Sequence, residues 1–495
     1  MKKAVLLWGG YTLLWIASRW PAIRHNPLFH DDYGIPLDPA LFYVGSYRPV
    51  VWLEYQFWEL LIRDHFWTVL PKLTGAAYLG ATATALAFLL RRWDVPWSIA
   101  ILTPAVALAN PVLNDAGLWS SLHALPLGLL FMTLAALFWD RPLIAFAFVI
   151  AGVLTYQIFI TLALVYIATE WVLKRDKVWR KVAIVAVAGV LQILYMEVVR
   201  ATAIRSDGRG FVRAQSLAFY IREKFHGVFD LVVNGIMPVV AYYAGALHAY
   251  SWWRVVPLAI AIATLIAALW QRRRGLELAI AFLFPIVILF IPALPILMMS
   301  QSPYVWRVSS PVAIAFALSL VPLVLSVRRA VPLLAVVALV MLPVSFYEAQ
   351  MRVVSHERQA SLIRELEQHW RTKNVTIVYG PMHGPFEDIR LIGPHDLTWG
   401  YERRTPAMWT SFEDAWFAKA FVHTYHRKNF IDCSAGSTAP ICARARTLCP
   451  RNCTDASVPY PRVMHLEKQT TLICPGALPG SATQCGPFLD PPDQQ

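Results

Sequence analysis

Long apolar runs dominate this chain and leave it few places to fold other than a bilayer. The stretch 276–299 contains one charged residue and 331–346 contains none. Runs of this kind are near the roughly 20 residues that span a hydrocarbon core. Of the 495 residues, 57% are hydrophobic and 15% charged, too apolar for a string of soluble domains. The net charge of +13 comes from basic residues gathered at the ends of apolar runs. That distribution faces anionic headgroups and gives no sign of a nucleic-acid partner. Met1-Lys2-Lys3 opens an apolar run that ends in Arg19-Trp20-Pro21 without a small-residue cleavage site, so the segment reads as a retained signal anchor.

Basic clusters at Lys2-Lys3, Arg91-Arg92, Arg141, Lys174 to Lys181, Arg272 to Arg274 and Arg328-Arg329 are assigned to the cytoplasm by the positive-inside rule. Between them, spans are expected at 4–20, 66–90, 97–113, 121–139, 182–199, 254–270, 276–298, 309–326 and 330–347. The stretch 142–173 starts and ends at basic signals and crosses twice, hinged near Thr155-Tyr156-Gln157. Residues 229–248 carry Asn234, Gly235 and Pro238 and read as re-entrant, since irregular backbone is tolerated where it lines a cavity. The expectation is an α-helical polytopic membrane protein of about eleven crossings with the N-terminus cytoplasmic. Residues 1–347 form the membrane domain, and 348–495 a small extracytoplasmic α+β domain.

The cysteines support the same orientation independently. Cys433, Cys442, Cys449, Cys453, Cys474 and Cys485 all lie in the polar tail, and an even number there suits disulfides in an oxidising compartment. Cys449-x-x-x-Cys453 also has a spacing seen at zinc sites. The tail opens with a charged helical pattern over 348–370, followed by a strand at 375–379. Near the other end of the chain, 50–62 is apolar and aromatic but interrupted by Glu54, Gln56 and Glu59, the pattern of a helix lying in the interface.

Ionisable groups are expensive beside a membrane core and mark candidate sites. The acidic pair Asp31-Asp32, in His30-Asp31-Asp32-Tyr33, falls in the first outer loop, with Tyr47-Arg48 after it. Tyr156-Gln157 sits at the short hairpin and Arg307 just before an apolar run. The loop around 200–228 holds Arg200, Arg205, Arg209, Arg213, Arg222 and Lys224, a surface suited to phosphate because guanidinium groups match its oxygens in pairs. His30 and His123 read as structural or surface residues. Carboxylates can take a proton from an attacking hydroxyl, and cations can hold a departing phosphate. Two adjacent Asp residues repel, which leaves open a raised pKa on one, a partner in Arg48, or a shared divalent cation such as Mg or Mn. No P-loop, Rossmann glycine pattern, metalloprotease helix or nucleophile elbow occurs in the sequence.

Asp31-Asp32, Tyr47-Arg48, Tyr156-Gln157 and Arg307 together resemble the GT-C superfamily of polytopic glycosyltransferases, and more narrowly the GtrII-like glucosyltransferases of bacterial O-antigen modification. The likeness covers about 1–347. It departs at Tyr47, where a glycine before the arginine is typical, and in the cysteine-rich tail. The resemblance implies an inverting hexosyltransferase of the bacterial inner membrane, with its C-terminal region periplasmic. Its donor would be a polyprenyl-phosphate sugar and its acceptor a glycan or lipid-linked glycan. Asp31 and Asp32 would be catalytic, and Arg48, Tyr156, Gln157, Arg209 and Arg307 would bind the substrate or the donor phosphate. The competing expectations are a flippase for lipid-linked sugar and an O-antigen polymerase or ligase.

Overall fold

The computed structural model describes residues 2–26, 43–44, 47–63, 65, 68–118, 120, 123–174, 177–202, 284, 287–288, 291–293, 306–326, 331–369, 376–379, 429–433, 440–448, 462–467 and 470–474. It is mostly helical. Helices α1 (Lys2–Ser18), α2 (Trp20–His25), α3 (Pro49–Leu61), α4 (Leu70–Arg92), α5 (Trp97–Ala109) and α6 (Asn114–Leu118) are followed by α7 (Leu125–Leu137), α8 (Pro142–Thr155), α9 (Ile160–Lys174) and α10 (Trp179–Thr202). Helices α11 (Trp306–Ser326) and α12 (Val331–His369) come later in the chain. The expected spans at 254–270 and 276–298 and the re-entrant segment 229–248 lie wholly or mostly outside the described residues.

Four described helices are long and apolar enough to cross a membrane: Leu70–Arg92, Gln157–Lys174, Trp179–Val199 and Val331–Gln350. Trp97–Ala109, Leu125–Leu137, Pro142–Thr155 and Ser310–Leu325 are apolar but shorter, about 20–24 Å long at 1.5 Å per residue. The expected span 97–113 stops early for a local reason. Pro111 disfavours helix at Asn110, and the Asn110 side chain accepts from the Val112 N–H to cap a 3-10 turn instead. The hinge expected near 155–157 is present: α8 ends at Thr155, and a 3-10 turn over Gln157–Phe159 leads into α9. The charged pattern at 348–370 does not form a separate helix. It continues the preceding apolar run as the single helix α12, because Glu348 to His369 supplies good helix formers and no terminator.

Packing within Met1–Asn26 and Pro39–Gln350, which form one compact unit, depends on small residues that let backbones approach. A Cβ at Gly80 of α4 would collide with Thr12 of α1, and one at Gly152 of α8 with Met132 of α7. Threonine hydroxyls inside the apolar helices are satisfied locally. Thr84, Thr103, Thr133 and Thr155 each donate to the carbonyl four residues earlier, which hides a polar group at little expense. Helix α10 leaves Val187, Val190, Leu194 and Val198 exposed, an apolar face suited to lipid.

Charge separates along this unit. The turns after α4 and α7 and the ends of α9 and α10 that face them carry ion pairs Arg92–Asp140, Lys174–Asp94 (3.2 Å) and Lys181–Glu170 (2.5 Å). Lys3 places its ammonium 3.1 Å from the Trp97 ring centroid at the same end. The opposite end, where α1 and α8 finish and α4, α7 and α9 begin, is where the candidate site lies.

A second compact unit holds Met351–Gln495. Its strands β1 (Thr376–Tyr379), β2 (Asn429–Asp432), β3 (Arg462–Glu467) and β4 (Thr470–Cys474) form one sheet in the order β2-β1-β4-β3. β1 is parallel to both neighbours, pairing Thr376 with Asn429 and with Thr470, while β3 and β4 are antiparallel. Cys433, just after β2, is disulfide-bonded to Cys442 in the helix α13 (Pro440–Leu448), and both are buried. Cys474 ends β4, whereas Cys449, Cys453 and Cys485 lie outside the described residues.

Candidate functional site

The site grows from the turn that starts α3. Tyr47 has φ 64°, a left-handed conformation that costs a residue with a Cβ about 1–2 kcal/mol. Its carbonyl accepts from the Gln157 amide at 3.0 Å, so the 3-10 turn between α8 and α9 fastens the turn before α3. Arg48 follows as the N-cap residue, and Pro49 starts the helix. The Arg48 side chain is only 5% exposed. Its guanidinium lies 4.5 Å from the centroid of the Tyr156 ring, a cation–π contact strengthened by exclusion of water. Arg48, Tyr156 and Gln157, three residues expected to share a site from sequence, are thus brought together.

Six residues beyond Arg48, α3 buries Glu54. Its Oε1 accepts from the Trp58 indole at 2.7 Å and from the Tyr78 hydroxyl at 3.4 Å. Its Oε2 lies 2.7 Å from His123 Nε2. The other His123 nitrogen, Nδ1, is 2.6 Å from the Ser120 carbonyl and must donate to it, since a carbonyl cannot. Oε1 accepts from two donors, whereas Oε2 and Nε2 stand at ion-pair distance without hydrogen-bond geometry. His123 is fully buried there. Burial raises the Glu54 pKa, but the His123 charge and hydrogen bond, the Trp58 indole and the His65 charge outweigh it and hold the carboxyl below its ordinary value.

His65 stands beside this pair, in the segment between α3 and α4. Its ring meets His123 edge to face at 6.4 Å between centroids and Tyr55 at 5.2 Å. Nδ1 is 3.1 Å from Glu59 Oε2. The His65 carbonyl accepts from both the amide and the hydroxyl of Thr68, which fixes the ring's backbone. Burial lowers the His65 pKa and the His123 charge lowers it further, against the opposing pull of Glu59 and Glu54. Lys72, in the first turn of α4, is fully buried and donates to Asn26 at 2.6 Å and to Ser120 at 3.4 Å.

A second polar knot lies at the end of α1. Arg19 is fully buried, with Nε donating to Asn114 at 2.8 Å, Nη2 to the Asn110 carbonyl and Ser345 at 3.1 Å, and its guanidinium 3.8 Å from the Trp15 ring. Asn114 in turn donates to the buried carboxylate Glu348. This knot ties α1, α6 and α12 and is a structural clamp.

The remaining expected site residues are placed less fully. Asp31, Asp32 and Arg209 lie outside the described residues, and Arg307 falls in the first turn of α11 with its side chain outside them. His123, expected to be structural or at the surface, is buried 2.7 Å from Glu54. Glu54 and Glu59 were legible only as interruptions in an apolar run and Arg19 only as the end of one, and His65 and Lys72 were not singled out. The usable signal was an ionisable residue within a few positions of a span. Among the described residues, no group of three or more His, Cys, Asp or Glu side chains is arranged to hold a metal. In comparisons with protein-family models, curated proteins and solved structures, nothing matches this chain.

Proposed function

We propose that this protein is a membrane glycosyltransferase that moves a hexose, with glucose the leading candidate, from a polyprenyl-phosphate sugar to a periplasmic glycan such as O-antigen. In this reading it resides in the bacterial inner membrane with about eleven crossings and its basic end in the cytoplasm. The observation that carries the proposal is the convergence of Arg48, Tyr156 and Gln157 at the start of α3, the helix that also carries Glu54 of the buried Glu54–His123 pair, at the end of the helices opposite the basic turns.

The chemistry follows from what such a surface can do. Outside the cytoplasm there are no nucleotide sugars, so an activated donor must arrive within the bilayer on a lipid phosphate. Arg48, with Arg209 and Arg307 joining from their own segments, would hold the phosphate as it departs; guanidinium groups are always charged and fork-shaped. Tyr156 supports the Arg48 guanidinium from below and Gln157 fixes the turn that presents it. Asp31 and Asp32 enter as the catalytic acidic pair, either as the base or as ligands of a divalent cation.

The test is a glycan analysis of cells with and without the gene, joined to an assay with purified protein and a single-sugar polyprenyl-phosphate donor. A gain of one hexose on a surface polysaccharide supports the proposal. Movement of lipid-linked sugar across vesicles without a new glycosidic bond would replace it by a flippase. Transfer only from diphosphate-lipid glycans would replace it by a polymerase or ligase. Asp31→Asn and Asp32→Asn, each expressed at normal level, should both cut transfer at least tenfold. Wild-type rates in both would remove the pair from the site.

A further inference from the structure

The two carboxylate–imidazole pairs are not equivalent. In Glu54–His123 the ring has a neighbour on both sides: Nδ1 donates to the Ser120 carbonyl, and Nε2 stands 2.7 Å from the carboxylate as an ion pair without hydrogen-bond geometry. In Glu59–His65 only Nδ1 is engaged, by the Glu59 carboxylate. His65 is fully buried, and its Nε2 has no hydrogen-bond partner among the described residues. Because a carboxylate can only accept, Nδ1 carries the hydrogen of the neutral ring and Nε2 presents a lone pair. A buried acceptor left without a donor costs about 1–3 kcal/mol, and a ligand hydroxyl would recover that.

We propose that His65 Nε2 is the seat of the acceptor sugar's reacting hydroxyl and takes its proton during transfer. This rests on the glycosyltransferase reading above. The O–H proton passes to Nε2, and the oxygen's electron pair forms the new bond to the anomeric carbon. The bond from that carbon to the phosphate oxygen breaks, its pair leaving with the polyprenyl phosphate. The imidazolium, held by Glu59, afterwards returns its proton to water. Asp31 and Asp32 are left a role other than proton abstraction. The charged groups acting on His65 are Glu59 and Glu54 of α3 and His123 of the segment before α7. The positive His123 keeps His65 neutral and competent as a base, whereas Glu59 strengthens it. Glu59 is a positioning residue here, since it acts through the ring.

The experiment measures hexose transfer by the purified full-length protein as a function of pH, with a polyprenyl-phosphate glucose donor and an isolated O-antigen acceptor. His65→Gln should lose about 100-fold or more in kcat, the usual contribution of a positioned base, with donor KM within about twofold. Glu59→Gln should lower kcat and move the acidic limb of the rate profile to lower pH, because it withdraws the group that raises the His65 pKa. A merely structural Glu59 would leave that limb in place. Wild-type kcat in His65→Gln, or an unmoved limb in Glu59→Gln, overturns the proposal. If His65→Gln does not fold, Glu59→Gln carries the test, because that carboxylate is 35% exposed and tolerates amidation. No transfer by the wild-type protein overturns the proposal together with the reading it rests on, whereas active wild type with indifferent variants overturns the proposal alone.

Discussion

At the scale of single residues, the site is a set of ionisable groups held mostly out of solvent, with Glu59 at its exposed edge. Removing one member of a buried ion pair strands the other, at about 3–5 kcal/mol. His123→Phe should therefore lower the thermal midpoint in detergent sharply, by an amount that Glu54→Gln/His123→Phe partly restores. Equal loss in the single and double variants would show that the pair has no mutual energy. The pKa directions fix a second expectation. Both Glu54 and His65 titrate below their ordinary values. Each therefore contributes stability that is present above its unfolded pKa and is lost as pH falls toward and through its folded one. For His65 the loss starts near the ordinary histidine value of about 6.5. Thermal stability should fall as pH drops below about 6.5, and His65→Gln should flatten that slope. A slope of the same size in the variant would dissociate it from His65. This level was the least legible in the sequence. Arg48, Tyr156 and Gln157 could be grouped in advance through the resemblance of their short motifs to a known pattern. Glu54, His65 and His123 could not, because pairing across long sequence separations depends on how α3 lies against α4 and α7.

At the scale of elements, apolar periodicity says where helices are but not how long they run. The hinge at 155–157 was readable because two basic clusters bracket a stretch too long for one crossing. The ends of α5 and α12 were not, since both are decided by local capping and propensity within otherwise continuous patterns. Close helix contacts give a sharp expectation. Gly80→Leu places a side chain where Thr12 already stands, and overpacking costs about 1–3 kcal/mol. Gly10→Ala, at a position with nothing within 4 Å, should be neutral or slightly stabilising. A thermal shift that fails to separate the two would contradict the α1–α4 packing. In the sheet-bearing unit, the Cys433–Cys442 bridge closes a short loop. Replacing both cysteines with serine should cost about 2–3 kcal/mol, read as earlier proteolysis of that region under native conditions.

At the scale of the whole molecule, the central expectation is orientation. Charge and cysteine placement agree on it from sequence alone, and the structure collects Arg92, Asp94, Asp140, Lys174 and Lys181 in neighbouring turns. A single cysteine at Asp140, in a variant without the native cysteines, should react with a membrane-impermeant thiol reagent only after the inner membrane is opened. A single cysteine at Asn26, beyond the end of α1, should react without it. The reverse pattern would invert the protein and with it the compartment of the site. One feature of the turn before α3 has a consequence for biogenesis. Tyr47 is wound against the preferred hand, and the side chain that fastens it, Gln157, is synthesised more than a hundred residues later. Until the ribosome has delivered the α8–α9 hairpin into the bilayer, nothing from that hairpin holds the arginine next to it in place, so this part of the site is completed late during translation rather than in step with the first spans.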